Sequence, residues 1–516
     1  MFLTRAALPL LIAACGVSPA AAQDAEASGG SFIDDSGRQR VFDAAYRPWF
    51  PDRRPARTWR AVGWQAGIIA VGTGWYWLEK DLNSLDWDYP TPWQRINGEA
   101  VRFDNNRFST NTLGHPVAGM AYYGTSRVSG HDPFASLLFA VGSSAVWEWG
   151  LEWREQVSIN DQIFTPVAGT ALGEFVHQLG EYLNSAPGGG GTAQQVAGAT
   201  LGFPRWLHRQ WDDDPPPPEL PADALGFSSA YWHRFDVTLE TSHLDNETGA
   251  EGFVHGLRAE GEIVGIPGFQ RPGRFHVAFA DGNFSALHLR TGAGEGGATE
   301  LDLSARTGMA GFYGQSYEGS SSQDLRGHAF RLGWDIAYRH TSRDLLGRLD
   351  EVSVVHVLGP GADLWMAQGD LRARVSADVH GDFAAVHSLA YPVWSDDNGS
   401  AGVKSVLLEQ GYYHAFGLSS RLALEVSLAG FEVGGRVGFG TYSSIEGLDR
   451  NQESVTRDTS LADDVLDFEG WAGYAAPDGG VSLRVTGGGW LREGSTEYVT
   501  VARADYRWTA SAGLRF

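Results

Sequence analysis

Three carboxylates and a histidine pose the first chemical question. Glu148 and Glu152 are four residues apart, which on a helix puts them on one face, and Glu155 follows three further on. They interrupt an aromatic run of Trp147, Trp149 and Trp153. Paired carboxylates of this kind serve acid/base chemistry or hold a metal. His115, just before Pro116, and Asp161 complete the candidate catalytic set His115, Glu148, Glu152 and Asp161. Glu174 and His177 read Glu-x-x-His, half of a di-metal bundle signature, and no metal site is assigned on half a signature. The competing account is structural and is preferred: hydrogen bonds and ion pairs to Arg107, Arg127 or Arg154 that fix helix register. In particular, an apolar helix that buries Glu148 and Glu152 must pair them, so His115 and an arginine such as Arg127 are expected beside them. Ser158 and Asp161 could be nucleophile and carboxylate, but Ser-x-x-Asp is first a capping box, with the Asp reaching back.

The elements that position these groups read as helices. Candidate segments run over 58–79, 113–127, 133–155 and 165–183, with Pro116 and Pro166 at helix starts. Gly63 and Gly67, then Gly169 and Gly173, recur at the spacing that lets helix backbones approach closely. Residues 61–78 carry no charge, but four glycines, Gln65 and Thr73 dilute their hydrophobicity, so this stretch reads as a buried helix. Gly188–Gly191 is a joint, and Asp212-Asp213-Asp214 followed by Pro215–Pro218 is a stiff extended linker.

Composition narrows the class. The 516 residues include 39 Lys and Arg against 62 Asp and Glu, a formal charge of −23. Such an acidic chain is a poor nucleic-acid ligand. Glycine is far above its usual share of about 7%, at 67 residues, and there are 19 Trp. This combination fits an outer-membrane β-barrel. From about residue 228 the pattern has period two. Phe330, Leu332, Trp334, Ile336 and Tyr338 lie on one face, and Arg331, Asp335 and Arg339 on the other. Phe275, Val277 and Phe279 alternate likewise, as do Leu422 to Leu428 and Val481 to Val485. Trp508, Ala510, Ala512, Leu514 and Phe516 alternate to the last residue, and Phe516 is the candidate assembly signal that the barrel assembly machinery reads. Residues 228–516 hold about 12 strands at barrel spacing. At a strand end, His340-Thr341-Ser342 resembles the active-site strand of outer-membrane lipid A deacylases, with Asp344 or Glu351 as third member; a polar strand end is the preferred reading.

From Asn111 to Glu174 the chain carries Asn111, Gly114-His115-Pro116, Gly119, Tyr122-Tyr123, Arg127, Gly130, Ser144, Trp147-Glu148, Glu152, Ser158-Ile159-Asn160-Asp161, Thr165, Gly169 and Leu172-Gly173-Glu174. This pattern resembles the bacterial family catalogued as domain of unknown function 3943. Val157 departs from it, where other members carry Pro. The resemblance implies a helical domain attached to an outer-membrane barrel, and implies no activity.

The resulting expectation is an α+β membrane protein. Residues 1–22 form a cleaved signal peptide, 23–57 a lead-in, 58–210 a small helical bundle, 211–227 a Pro/Asp-rich linker and 228–516 a transmembrane antiparallel β-barrel. Cys15 after Ile12-Ala13-Ala14 offers lipoprotein processing as an alternative. The location expected is the outer membrane, with membrane lipid, the assembly machinery and a periplasmic component as partners, and no cofactor. The function expected is envelope structure or transport, the bundle acting as lumenal plug or periplasmic domain. The alternatives are an envelope-lipid-modifying enzyme and a soluble periplasmic β-sandwich.

Overall fold

The computed structural model describes residues 31–33, 39–41, 55–79, 90–152, 155–212, 222–229, 231–266, 268–320, 323–450, 455–477 and 479–516. The signal peptide, Cys15, most of the lead-in, Trp153, Arg154 and the proline run lie outside the described residues.

The alternating half forms one antiparallel sheet closed on itself. Its segments are β1 (Trp232–Asn246), β2 (Glu251–Val264), β3 (Gly273–Phe279), β4 (Phe284–Gly294), β5 (Thr299–Glu318), β6 (Arg326–Leu345), β7 (Arg348–Gln368), β8 (Leu371–His387), β9 (Tyr412–Leu428), β10 (Phe431–Ser444), β11 (Ala462–Ala475), β12 (Gly480–Ser495) and β13 (Thr500–Arg515). β13 closes the ring on β1, with Arg515 opposite Asp236. Phe516 extends the seam: its amide donates to Phe235 O at 2.8 Å and its carbonyl accepts from Phe235 N at 3.0 Å. β3 and β4 both pair with β5, Phe279 opposite Gly311 and Phe284 opposite Gly308. They are thus one interrupted strand, and the wall is a closed barrel of 12 strands. A soluble β-sandwich is excluded, because a closed ring has no second sheet.

Side-chain parity gives the two faces. Leu332, Trp334, Leu418, Leu422, Leu424, Val481, Leu483 and Val485 are exposed on the outside. That apolar belt is what lipid requires of a barrel wall. Trp334→Arg is therefore expected to cost about 2–4 kcal/mol at mid-depth, measured by equilibrium unfolding in vesicles. From the alternation alone, Asp335→Asn on the lumen side is expected to be mild. Asp335 is instead fully buried and binds Arg306 and Arg331 at 2.7 and 2.8 Å, so the change leaves two guanidinia short of a carboxylate and is costly too. At β3 the faces reverse: Phe279 is buried, with Phe275 and Val277 packed beside it, in an aromatic lumenal core with Phe269, Tyr313 and Trp365.

The lumen is filled towards both ends. At the end nearer the barrel termini, Ile266 and Phe269 from the turn after β2 join that aromatic core. At the far end, α8 (Ala390–Asn398) and α9 (Ser405–Gln410) fold inward, placing Tyr391, Trp394, Val406 and Leu407 in buried clusters; Tyr391, Trp394 and Leu407 meet inward-facing Val352, Val386 and Trp490. Between these ends run ion pairs: Arg331 to Asp363 at 2.8 Å, Arg374 to Glu262 at 2.8 Å, Arg343 to Asp302 at 2.7 Å.

The helical half comprises α1 (Thr58–Glu79), α2 (Pro92–Ile96), α3 (His115–Val128), α4 (Pro133–Val146), α5 (Gly169–Leu183), α6 (Thr192–Thr200) and α7 (Phe203–Asp212). It neither plugs the lumen nor hangs below the barrel. Phe103, Phe108, Phe164, Ala168 and Leu172 pack against Ala305, Tyr338, Val355, Phe383 and Ala385, all outward-facing. Phe175 and Tyr182 continue onto Ile263 and Phe235. The domain thus lies on the outer wall from β1 round to β9. Under it the wall admits small and polar residues (Ala305, Thr307, Ala385, His340) among the larger ones, because helices, not lipid, cover it.

Two helix expectations change. α1 is not a buried helix: Trp59 is 86% and Leu78 84% exposed. Of the two glycine pairs, only the second is used. A Cβ on Gly169 would sit 2.4 Å from the Gly119 carbonyl carbon and one on Gly119 1.6 Å from Thr165 O, whereas Gly63 and Gly67 meet nothing within 4 Å.

Candidate functional site

Three π-helical turns build the site: Thr110–Gly114 before α3, Trp147–Leu151 after α4 and Phe164–Ala168 before α5. Such turns re-aim side chains that an α-helix would stagger, and they recur at functional positions. The first carries Asn111 and the second Glu148. Arg95 closes the second turn: its guanidinium donates to Glu148 O at 2.8 Å, to Glu152 O at 2.5 Å and to Glu155 O. It thereby satisfies carbonyls left free at a helix end.

The expected carboxylates do gather. Glu148, 1% exposed, accepts the Ser158 amide at 2.9 Å. His115 Nε2 lies 3.3 Å from Asp161 Oδ1. Glu152 interacts electrostatically with both His115 and Asp161. Asn160 donates to Asp161 at 2.9 Å and to Asp104 at 3.0 Å, and Asn111 donates to Asp104 at 2.5 Å. The barrel enters through Tyr412 on β9, whose hydroxyl accepts from Asn111 at 2.9 Å and donates to Asn106 O at 2.8 Å. Asp104, Asn160 and Tyr412 were not singled out from sequence. The available signal was Asn160 inside the quoted motif, and a tyrosine at an outward position that lipid would not suit.

Arg127 does not serve Glu148. It binds Glu174 at 2.6 and 3.0 Å, where Tyr123 and Gln178 each also donate at 2.6 Å. Arg127 further donates to Asp281 O at 3.2 Å, in the break between β3 and β4. Gly282, in the same break, has φ +64°, and a Cβ there would fall 2.4 Å from Glu174 Oε1. The wall is broken where the helical domain grips it. With Glu174 so engaged, the Glu-x-x-His half-signature is part of an ion-pair clamp, and no group of three or more His, Cys, Asp or Glu converges for a metal among the described residues.

The Ser-x-x-Asp cap is half as expected. The Asp161 amide donates to Ser158 Oγ at 3.2 Å, but the Ser158 amide goes to Glu148, not back to Asp161. The Ser158 hydroxyl donates to Asn160 at 3.0 Å, with the Asp161 carboxyl also in its reach. On β6, His340 is buried against Phe108 with Nδ1 3.2 Å from Thr112 Oγ1, and Ser342 donates to Glu351 at 3.1 Å. Each has its own partner, and His340 lies under the helices, not at an open rim.

Electrostatics distinguishes the cluster. Burial, then the nearby Glu155 and Asp161 carboxylates, push Glu152 up to about 8. Burial raises Asp161 as well, and Asp104 adds to it. Burial lowers His115 despite Asp104 and Glu152 nearby. An imidazole held beside carboxyls whose affinity for the proton is raised can pass a proton between them. Because the folded Glu152 value lies above its ordinary 4.5, its contribution is fully present below that value and is lost as pH rises through about 8. The melting temperature of the helical domain is expected to fall between pH 5 and pH 9, and Glu152→Gln to flatten that slope.

A closed antiparallel barrel with an apolar belt, a charged lumen and a helical domain on its wall defines an outer-membrane-type β-barrel protein. Residues 100–203 match the family described as domain of unknown function 3943, the segment carrying the motif residues. No curated relative matches the chain. Solved structures with a partial likeness include the outer membrane protein OpdK from Pseudomonas aeruginosa (8% identity, 55% of this chain and 99% of that one, TM-score 0.15). The toluene transporter TodX from P. putida (7%, 56% and 90%, 0.21) and the translocator domain of autotransporter NalP from Neisseria meningitidis (14%, 62% and 97%, 0.20) are further examples. At these scores the fold assignment rests on the closed sheet itself.

Proposed function

We propose that this protein is a structural component of the outer membrane, a closed barrel whose working surface is its outer wall and the helical domain seated there. The observation that carries the reading is the pairing of an occupied lumen with a helical domain packed outside it. The outer side of that domain supports it: Trp59, Val71, Trp75, Leu78 and Leu138 are exposed, a second apolar surface beside that of the barrel. Residues Pro133–Leu151 are also long and apolar enough to cross a membrane. Lipid is the partner such a surface takes. The test is conductance in planar bilayers. The wild type is expected to give no steady single-channel steps, and deletion of residues 390–410 to introduce them. Well-defined steps from the wild type would favour a transport role instead.

A second reading, an enzyme acting on envelope lipid, is favoured by one observation: the buried Glu152, whose carboxyl is pushed up to about 8, gathers with the His115–Asp161 pair. Mass spectra of envelope lipids from a Glu152→Gln strain test it. A species altered in that strain, with folded protein at normal level, would support the enzyme, and unchanged spectra would dismiss it.

A further inference from the structure

The chain carries a charge of −23, yet the cavity at the centre of its barrel is arginine-rich. That cavity has a volume of about 270 Å³, and eight arginines line it against five carboxylates. Seven of the eight have a carboxylate within ion-pair distance, as with Arg339 to Asp467 at 3.2 Å and Arg436 to Glu469 at 2.8 Å. Arg421, on β9, makes no ion pair or hydrogen bond among the described residues. The carboxylates that act on it are already engaged. Asp378 is held by Arg306 at 3.6 Å and His380 at 3.4 Å, and Asp467 by Arg339. Arg339 and Arg436 add positive charge around it.

An unpaired guanidinium enclosed in a protein interior is costly, and it is relieved by an anion. Ser304 and Ser376 add hydroxyls to the same lining. A planar guanidinium fork plus hydroxyl donors is the chemistry that recognises a tetrahedral oxyanion. Arg421 also lines the adjoining space with Arg290, Arg343 and Arg507, so the positive lining continues along the lumen.

We infer that the barrel lumen binds a small oxyanion of the phosphate type, with Arg421 as its principal ligand. The cavity is walled from lipid by the strands, so the source is a free solute and not a lipid headgroup. The site is independent of the helical domain and of whether the lumen conducts.

The experiment uses the full chain folded in detergent. Thermal unfolding is followed in inorganic phosphate and in chloride at matched ionic strength. Phosphate is expected to raise the melting temperature by about 2–4 °C, and Arg421→Gln to abolish the rise. Equilibrium dialysis of radiolabelled inorganic phosphate against the wild type is expected to give one bound ion per barrel, whatever the behaviour of the variant. No bound phosphate in dialysis, or a thermal shift that persists in Arg421→Gln, overturns the assignment. Phosphate-lipid vesicles added in place of inorganic phosphate are expected to give no Arg421-dependent shift, and such a shift would contradict the free-solute source.

Discussion

Arg127→Met is expected to destabilise the helical domain by about 3–5 kcal/mol, the cost of stranding a buried charge. Glu174 is fully buried, and Arg127 supplies two of its hydrogen bonds. The pair holds the Glu174 carboxyl below its ordinary range, chiefly through Arg127 against the burial penalty. Methionine replaces the volume but leaves the carboxylate with only the Tyr123 hydroxyl and the Gln178 amide. It also drops the bond to Asp281 O, which ties α3 to the broken strand. The double change Arg127→Met with Glu174→Leu should recover much of the loss, because it removes both charges together. Urea unfolding of the folded protein, read by protease protection of the helices, measures both. The heat-modifiable gel mobility of the barrel should survive the single change.

Gly169→Val carries the second large expected effect, a loss above about 3 kcal/mol from overpacking that cannot relax. The atoms a side chain would meet are backbone atoms of Gly119 and Met120, at 2.4 to 2.7 Å, so no rotamer change relieves the clash. α3 and α5 would have to separate, dragging the Arg127–Glu174 clamp with them. Gly63→Ala is the control: it meets nothing, and helix propensity predicts a gain of about 0.5–1 kcal/mol. Protease protection of the helical domain distinguishes the two.

Much of the barrel was legible in the residues. Alternation put Phe330, Leu332 and Trp334 outside and Arg331 and Asp335 inside, and the strand count followed from length. It failed at Phe275 to Phe279, because an aromatic lumenal core reverses the rule that the apolar face meets lipid. It also could not say what covers the outer face. Tyr338 and Trp334 share that face, yet one lies under helices and the other is exposed. The clue was chemical rather than periodic: Thr307, His340, Tyr412 and His414 are polar at outward positions, which hydrocarbon penalises. In the helical half, i,i+4 spacing brought Glu148 and Glu152 to one site, but the π turns shifted the partners. Glu148 found an amide where a cap was expected to close on itself, and Arg127 went to Glu174 because α5, not α4, faces it. Long-range choices of this kind depend on how helices cross, which local sequence does not encode.

The helical domain lies on the outer wall of the barrel, and one contact there can be tested directly. Thr307 on β5 faces outward, and its hydroxyl donates to Ala171 O on α5 at 3.3 Å. The chain has a single cysteine, Cys15, within the expected signal peptide, so an introduced pair reports without interference. The measurement is disulfide formation in membranes for Ala171→Cys with Thr307→Cys, beside Ala171→Cys with Arg306→Cys, whose second position faces the lumen. Efficient cross-linking of the Thr307 pair is expected, and none of the Arg306 pair. Cross-linking of the Arg306 pair alone would put the helices inside the barrel and contradict that placement.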